Sequence, residues 1–237
     1  MPIPKKDMPD APKSAKIRVY ETLRDWIIDG TLQPGEKIID GELSSYFSVS
    51  RTPIREAIQL LADQKLLNVY PGRATRVSEL DSVNISETYH MLAELNSMAV
   101  EFSYPHITEK NLENLRRINE HFDLTLGKHD FTRSRACDKE FHDTFVKLAA
   151  NDFLADFIET LTCHIARLEN LYFDQILNAK DSVNEHMQIV TALEEKDLEK
   201  AKKFMKLNWN HTADIFETTD ILKHGVADKN LDTIVPL

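Results

Sequence analysis

The sequence predicts a mainly α-helical protein, an N-terminal winged helix-turn-helix followed by an all-helical bundle. Three observations predict it. Glycine is scarce, 6 of 237 residues, while 42% are hydrophobic, a balance that favours helices around a sizeable core. The stretch Ser50 to Leu61, SRTPIREAIQLL, sets Ile54, Ala57, Ile58 and Leu61 on one helical face and Arg51 and Arg55 on the other. The charge is also divided. Residues 1–79 carry 12 Lys+Arg against 11 Asp+Glu, a net of +1, and residues 80–237 carry 17 against 28, a net of −11. A near-neutral first part can bind phosphates if its basic groups gather on one face.

Four segments follow from this. Residues 1–13, with four prolines, read as a flexible leader. Residues 14–79 form the winged helix-turn-helix, 80–225 the all-α domain, and 226–237 a polar tail. Cys137 and Cys163 make no CxxC pair or disulfide framework, which points to a reducing cytoplasm. No signal peptide and no apolar run of membrane-spanning length is present, so export and membrane spanning are not expected.

The first domain reads element by element. Ser14 to Asp29 is a helix with Ile17, Tyr20, Leu23, Trp26 and Ile27 as its inner stripe, and Gly30 stops it. Leu32-Gln33-Pro34-Gly35 is a turn, and Glu36 to Ile39 a short strand. Asp40 is expected to cap a second helix with Leu43, Tyr46 and Phe47 inward. Ser48-Val49-Ser50 leads into the arginine helix, with Ser50 as N-cap and Pro53 in the first turn. Leu66 to Tyr70 and Thr75 to Ser78 alternate as two strands, joined by Pro71-Gly72-Arg73-Ala74 as a basic hairpin tip. An arginine-bearing amphipathic helix could be an ordinary surface helix. Its setting, behind a tight turn and ahead of a basic wing, makes it a recognition helix for a major groove.

These residues resemble a known family. Leu32-Gln-Pro-Gly, Glu42-Leu43, the S-R-T-x-x-R-E-A core at 50–57, Lys65-Leu66-Leu67 and Pro71-Gly72-Arg73 are similar to the N-terminal domain of the GntR superfamily of bacterial transcription regulators. The resemblance implies that Ser50, Arg51, Thr52 and Arg55 face double-stranded operator DNA. Arg51 and Arg55 would meet guanines or phosphates and Thr52 a phosphate. Gly72 and Arg73 would enter the minor groove. Gly41 departs from members that carry a DNA-contacting arginine there, so their operator cannot be transferred.

From about Asp81 the pattern is continuously helical, with six helices near 81–104, 108–127, 129–149, 151–174, 180–194 and 197–224. Pro105, Gly127-Lys128, Ala150-Asn151 and Asn178-Ala179 mark the joints. Thr108 and Asp197 open two of the helices. Neither a Gly-rich phosphate loop nor a dinucleotide fingerprint is present.

Polar groups fall on apolar faces. Asp138 and His142 are one turn apart beside Phe145 and Ala149. His186 lies in the stripe of Val183, Met187, Val190 and Leu193, and Asn208 in that of Ala201, Met205, Thr212 and Ile215. A buried carboxylate is costly unless paired or metal-bound, and Asp with imidazoles suits a divalent transition metal. An i,i+4 hydrogen-bonded pair and a satisfied core histidine explain the same residues without metal. A metal-dependent enzyme is disfavoured, because no HExxH motif or placed general base accompanies the group.

The second half resembles the helical effector domain of the fatty-acid-regulator branch, known as FCD, through Asp138-x-x-x-His142, Glu185-His186 and Ala201-x-x-x-Met205. The resemblance implies a divalent metal, zinc or similar, on Asp138, His142 and His186, with Asn208 where the family has a fourth ligand, histidine. It further implies a homodimer on a palindromic operator, and a small carboxylate-bearing effector, an organic or sugar acid. His90 stands where many members have an effector-binding arginine. His164, Asn208 and His211 complete the candidate effector contacts. A regulator whose bundle binds no small molecule is the competing reading.

Overall fold

The computed structural model describes residues 14–70, 74–80, 82–172 and 179–218, in two compact units that divide after Glu79. The leader, the wing tip with Gly72 and Arg73, and the C-terminal tail lie outside the described residues.

The first unit begins with α1 (Ala15–Ile28), whose N-cap Ser14 accepts from the backbone N–H of Ile17. Gly30 follows at φ +80°, the left-handed conformation that terminates it. Then come β1 (Lys37–Ile38), α2 (Asp40–Phe47), α3 (Arg51–Asp63), β2 (Leu67–Val69) and β3 (Thr75–Val77). The strands form an antiparallel sheet ordered β1-β3-β2, with Asn68 and Lys37 both opposite Arg76. Val19, Leu23 and Ile27 of α1 pack with Ile54, Ala57, Ile58 and Leu61 of α3 over Ile38, Leu66, Leu67 and Val77.

Four details differ from the sequence expectation. Ile17 is exposed and Val19 takes its place in the core, because α1 presents a narrower stripe than its apolar positions allow. Tyr46 also faces outward, its ring edge-on to Trp26 at 5.2 Å and to Phe47 at 5.0 Å. Asp40 is the first helical residue rather than the cap, which is Ile39. Its carboxylate instead accepts from Arg55. Ser50 is the N-cap of α3 by position but makes no side-chain capping bond.

The second unit is a helical bundle. Its described helices are α4 (Ser82–Ser103), α5 (Glu109–Gly127), α6 (Phe131–Ala149), α7 (Asp152–Tyr172), α8 (Ala179–Glu194) and α9 (Leu198–Thr218), with a 3-10 turn at Tyr104–His106. Thr108 and Asn111 form a reciprocal capping box at the start of α5. Ala150 closes α6 in the left-handed conformation at φ +48°. Helix α4 packs against α6, α7 and α9, and α5 against α6 and α8. Tyr89, Leu92, Leu115, Phe141, Phe145, Leu168 and Ile189 are among its buried side chains. No helix of the described residues is long and apolar enough to cross a membrane.

Candidate functional site

In the first unit, α3 turns Arg51, Thr52, Arg55 and Glu56 to solvent while Ile54, Ala57 and Ile58 are buried. The 3.6-residue period alone separates these faces. Arg55 donates through Nε to Asp40 Oδ2 at 2.9 Å and keeps its side chain 68% exposed. The ion pair fixes the direction of the guanidinium without covering it. Ser50 is also exposed on this edge. Arg76 of β3 is spent internally, donating to the Gly35 carbonyl at 2.7 Å.

In the bundle, Asp138 and His142 of α6 meet His186 of α8, with one ligand atom of each within 4.8 Å of the others. Asp138 Oδ1 lies 3.5 Å from His186 Nε2 and 4.0 Å from His142 Nε2. The tautomer of His186 follows from its neighbours. Asn119 of α5 donates its amide N–H to the Val183 carbonyl, so its oxygen faces His186 Nδ1 at 3.0 Å. The proton therefore sits on Nδ1, and Nε2 points its lone pair at Asp138. That Nε2 is fully buried without a hydrogen-bond partner. Phe141 stacks on the same imidazole, ring centroids 3.8 Å apart and planes 9° off parallel.

Burial pushes His142 down to about 4, against Asp143 and Asn208, which raise it. Burial, then the neighbouring His142, hold His186 well below its ordinary value. Both rings are thus neutral near pH 7, the ligating form. Burial, then the charge of Glu169, raise Asp138 to about 7.

Asn208 of α9 lies beside His142, as the hydrogen bond between them requires. Its Nδ2 donates to Glu185 Oε2 at 2.9 Å, and His211 Nδ1 lies 3.0 Å from the other oxygen, Glu185 Oε1. Two imidazole nitrogens, a carboxylate and an amide oxygen form a donor set that fits a divalent metal. Within this set His142 Nδ1 and His186 Nε2 are buried without a hydrogen-bond partner, a costly arrangement for polar atoms.

Asp138, His142, Asn208 and His211 open on a cavity of about 320 Å³ with walls from each of the helices α4 to α9, whereas His186 lies behind that lining. Asn208 and His211 line it, as expected, but two candidates do not. His90 faces outward on α4 and pairs with Asn210 of α9 at 2.9 Å. Tyr89 and Asn96 are the α4 residues that reach the cavity, because the inward stripe of α4 runs one position earlier. His164 stands off the α7 stripe of Ile158, Thr162, Ile165 and Glu169 that lines the wall. Glu169 was the residue missed. Its spacing along that stripe marks it, and burial lifts it to about 7 against the pull of Arg135 and Tyr89. Tyr89 Oη approaches Glu169 at 3.4 Å.

Comparison with known proteins agrees with both units. The family model for bacterial regulatory proteins of the gntR family matches residues 16–77, and that for the FCD domain matches residues 87–210. The uncharacterized HTH-type transcriptional regulator YdhC of Bacillus subtilis is 29% identical over 206 residues, 85% of this chain and 91% of its own. The HTH-type transcriptional repressor RspR of Escherichia coli is 22% identical over 89% of this chain and 91% of its own. The fold is shared with the solved structure of E. coli McbR/YncC, at a TM-score of 0.71 and 22% identity, covering 87% of this chain and 98% of that one. The chain therefore belongs to the GntR family of bacterial DNA-binding transcription regulators, with a C-terminal FCD effector domain, and is not an enzyme.

Proposed function

We propose that this protein is a dimeric repressor whose bundle senses a small carboxylate-bearing acid through a divalent metal held by Asp138, His142, His186 and Asn208. One observation carries the reading: the fully buried Nε2 of His186 has no hydrogen-bond partner and lies 3.5 Å from Asp138, which lines the 320 Å³ cavity. A buried nitrogen left unpaired is costly, and a cation met by its lone pair would remove that cost. Asp138, His142, His186 and Asn208 would hold the ion, which when bound would supply a Lewis-acid position for the effector's carboxylate. Arg51, Thr52 and Arg55 face the operator, with Ser50 at the edge of α3 and Gly72-Arg73 as the wing. Two copies on a palindrome multiply the affinity of a small reading surface. The effector releases DNA only to the extent that it binds the DNA-free arrangement more tightly than the DNA-bound one.

The test is elemental analysis of protein purified without chelator, followed by thermal shift with a panel of organic and sugar acids with and without metal. A stoichiometric ion, lost in His186→Ala, and a metal-dependent shift with at least one acid are expected. Metal-free protein that no metal ion stabilises would refute the metal-linked reading and leave a bundle with a structural polar core.

A further inference from the structure

Asn208 carries an oxygen and a nitrogen on one planar group, and only the oxygen can bind a cation. Which of them faces the site is decided from outside. The Glu185 carboxylate accepts and cannot donate, so the Nδ2 that meets its Oε2 at 2.9 Å is necessarily the N–H end. The amide oxygen is thereby the end left for His142, to which the Asn208 side chain is hydrogen-bonded. The same Glu185 engages His211 through Oε1 at 3.0 Å from Nδ1. His211 is the imidazole nearest in sequence to position 208, and it is not among the side chains whose ligand atoms converge with Asp138, His142 and His186. One residue of α8 therefore sets two side chains of α9. Glu185 itself is well covered, its side chain 17% exposed, and directly precedes the ligand candidate His186.

We propose that Glu185 is a positioning residue that makes Asn208 an oxygen donor beside Asp138, His142 and His186, giving a two-nitrogen, two-oxygen site without His211. This inference rests on the metal reading above. Replacing an imidazole by a neutral carbonyl oxygen hardens the site. The divalent series still favours zinc over manganese in raw affinity, so the consequence is a narrowed gap between the two ions.

The experiment is competition of the full-length metal-free protein against a chromophoric chelator, with Mn(II) and Zn(II) separately. Glu185→Ala should weaken both ions about 10- to 100-fold, the usual loss when an outer-shell partner is removed. Glu185→Gln keeps an acceptor for the Asn208 amide and should stay near wild type, which separates positioning from charge. His211→Ala should also stay near wild type. Asn208→His should strengthen Zn(II) far more than Mn(II). Circular dichroism of each metal-free variant confirms folding before titration. Wild-type affinity in folded Glu185→Ala, or a loss in His211→Ala equal to that of His142→Ala, overturns the assignment of Glu185 and Asn208 alone. Absence of binding by the wild-type protein overturns the metal reading along with it.

Discussion

Glu169 shows how one buried charge can set pH behaviour. Its carboxyl is raised from 4.5 to about 7, chiefly by desolvation. An acid whose folded value lies above its unfolded value binds more protons in the folded state between the two. Its contribution to stability therefore falls as pH rises from about 4.5 to about 7, and the penalty is complete above that window. Glu169→Gln removes the titration. Denaturant unfolding should show the variant gaining on wild type through that range, and a difference independent of pH would discredit the assigned burial. In the first unit, Arg51 and Arg55 lie exposed on α3. Each replaced by Ala should cost on the order of 1–3 kcal/mol at the operator. Fluorescence anisotropy with operator DNA measures it, and wild-type affinity in both variants would remove α3 from the groove.

At the scale of elements, local sequence decides where helices begin and tertiary contacts decide which face is inside. Thr108 and Asn111 cap α5 reciprocally, with Thr108 Oγ1 accepting from the Asn111 N–H at 3.3 Å. Thr108→Ala should lower bundle stability by about 1 kcal/mol, measurable by urea unfolding, and an unchanged midpoint would mean the cap contributes nothing. Asp40 looked like a cap from sequence, yet it is spent on Arg55, fifteen residues away. No local pattern reveals that exchange, because the partner arrives only when α2 and α3 pack. The inner stripe of α4 shows the same limit. Its apolar residues permit several rotations about the helix axis, and packing against α6, α7 and α9 selected the one that buries Tyr89 and Asn96 and turns His90 out. The Asp138–His142 pair was easier to read, since one turn of helix fixes both side chains on one face.

For the whole molecule, the two units have separate hydrophobic cores, one around Leu23, Ile54 and Leu61 and the other around Leu115, Phe141 and Ile189. A ligand of the bundle should therefore act on the bundle's own unfolding. Calorimetry should show metal raising one transition and leaving the other in place, whereas Leu23→Ala should lower only the other, by about 2–5 kcal/mol in stability. Equal movement of both transitions with metal would contradict independent cores. The net charge of −10 also disguises a DNA binder whose acidity belongs to the effector half. Operator affinity should still fall steeply with salt, as phosphate contacts release counterions.

The order of elements, the two-part division, the arginine face of α3 and the inward side of Asp138, His142, His186 and Asn208 are all legible along the chain. All of these rest on short-range periodicity, which is a property of the chain alone. Only the tertiary structure decided which atoms meet. It set the His186 tautomer through Asn119, the Asn208 rotamer through Glu185, and the cavity wall through Glu169. The reason is physical. A helix fixes the side its residues face, but a hydrogen bond between helices depends on register and rotation to within a fraction of an ångström, and those are settled by the packing of the whole bundle.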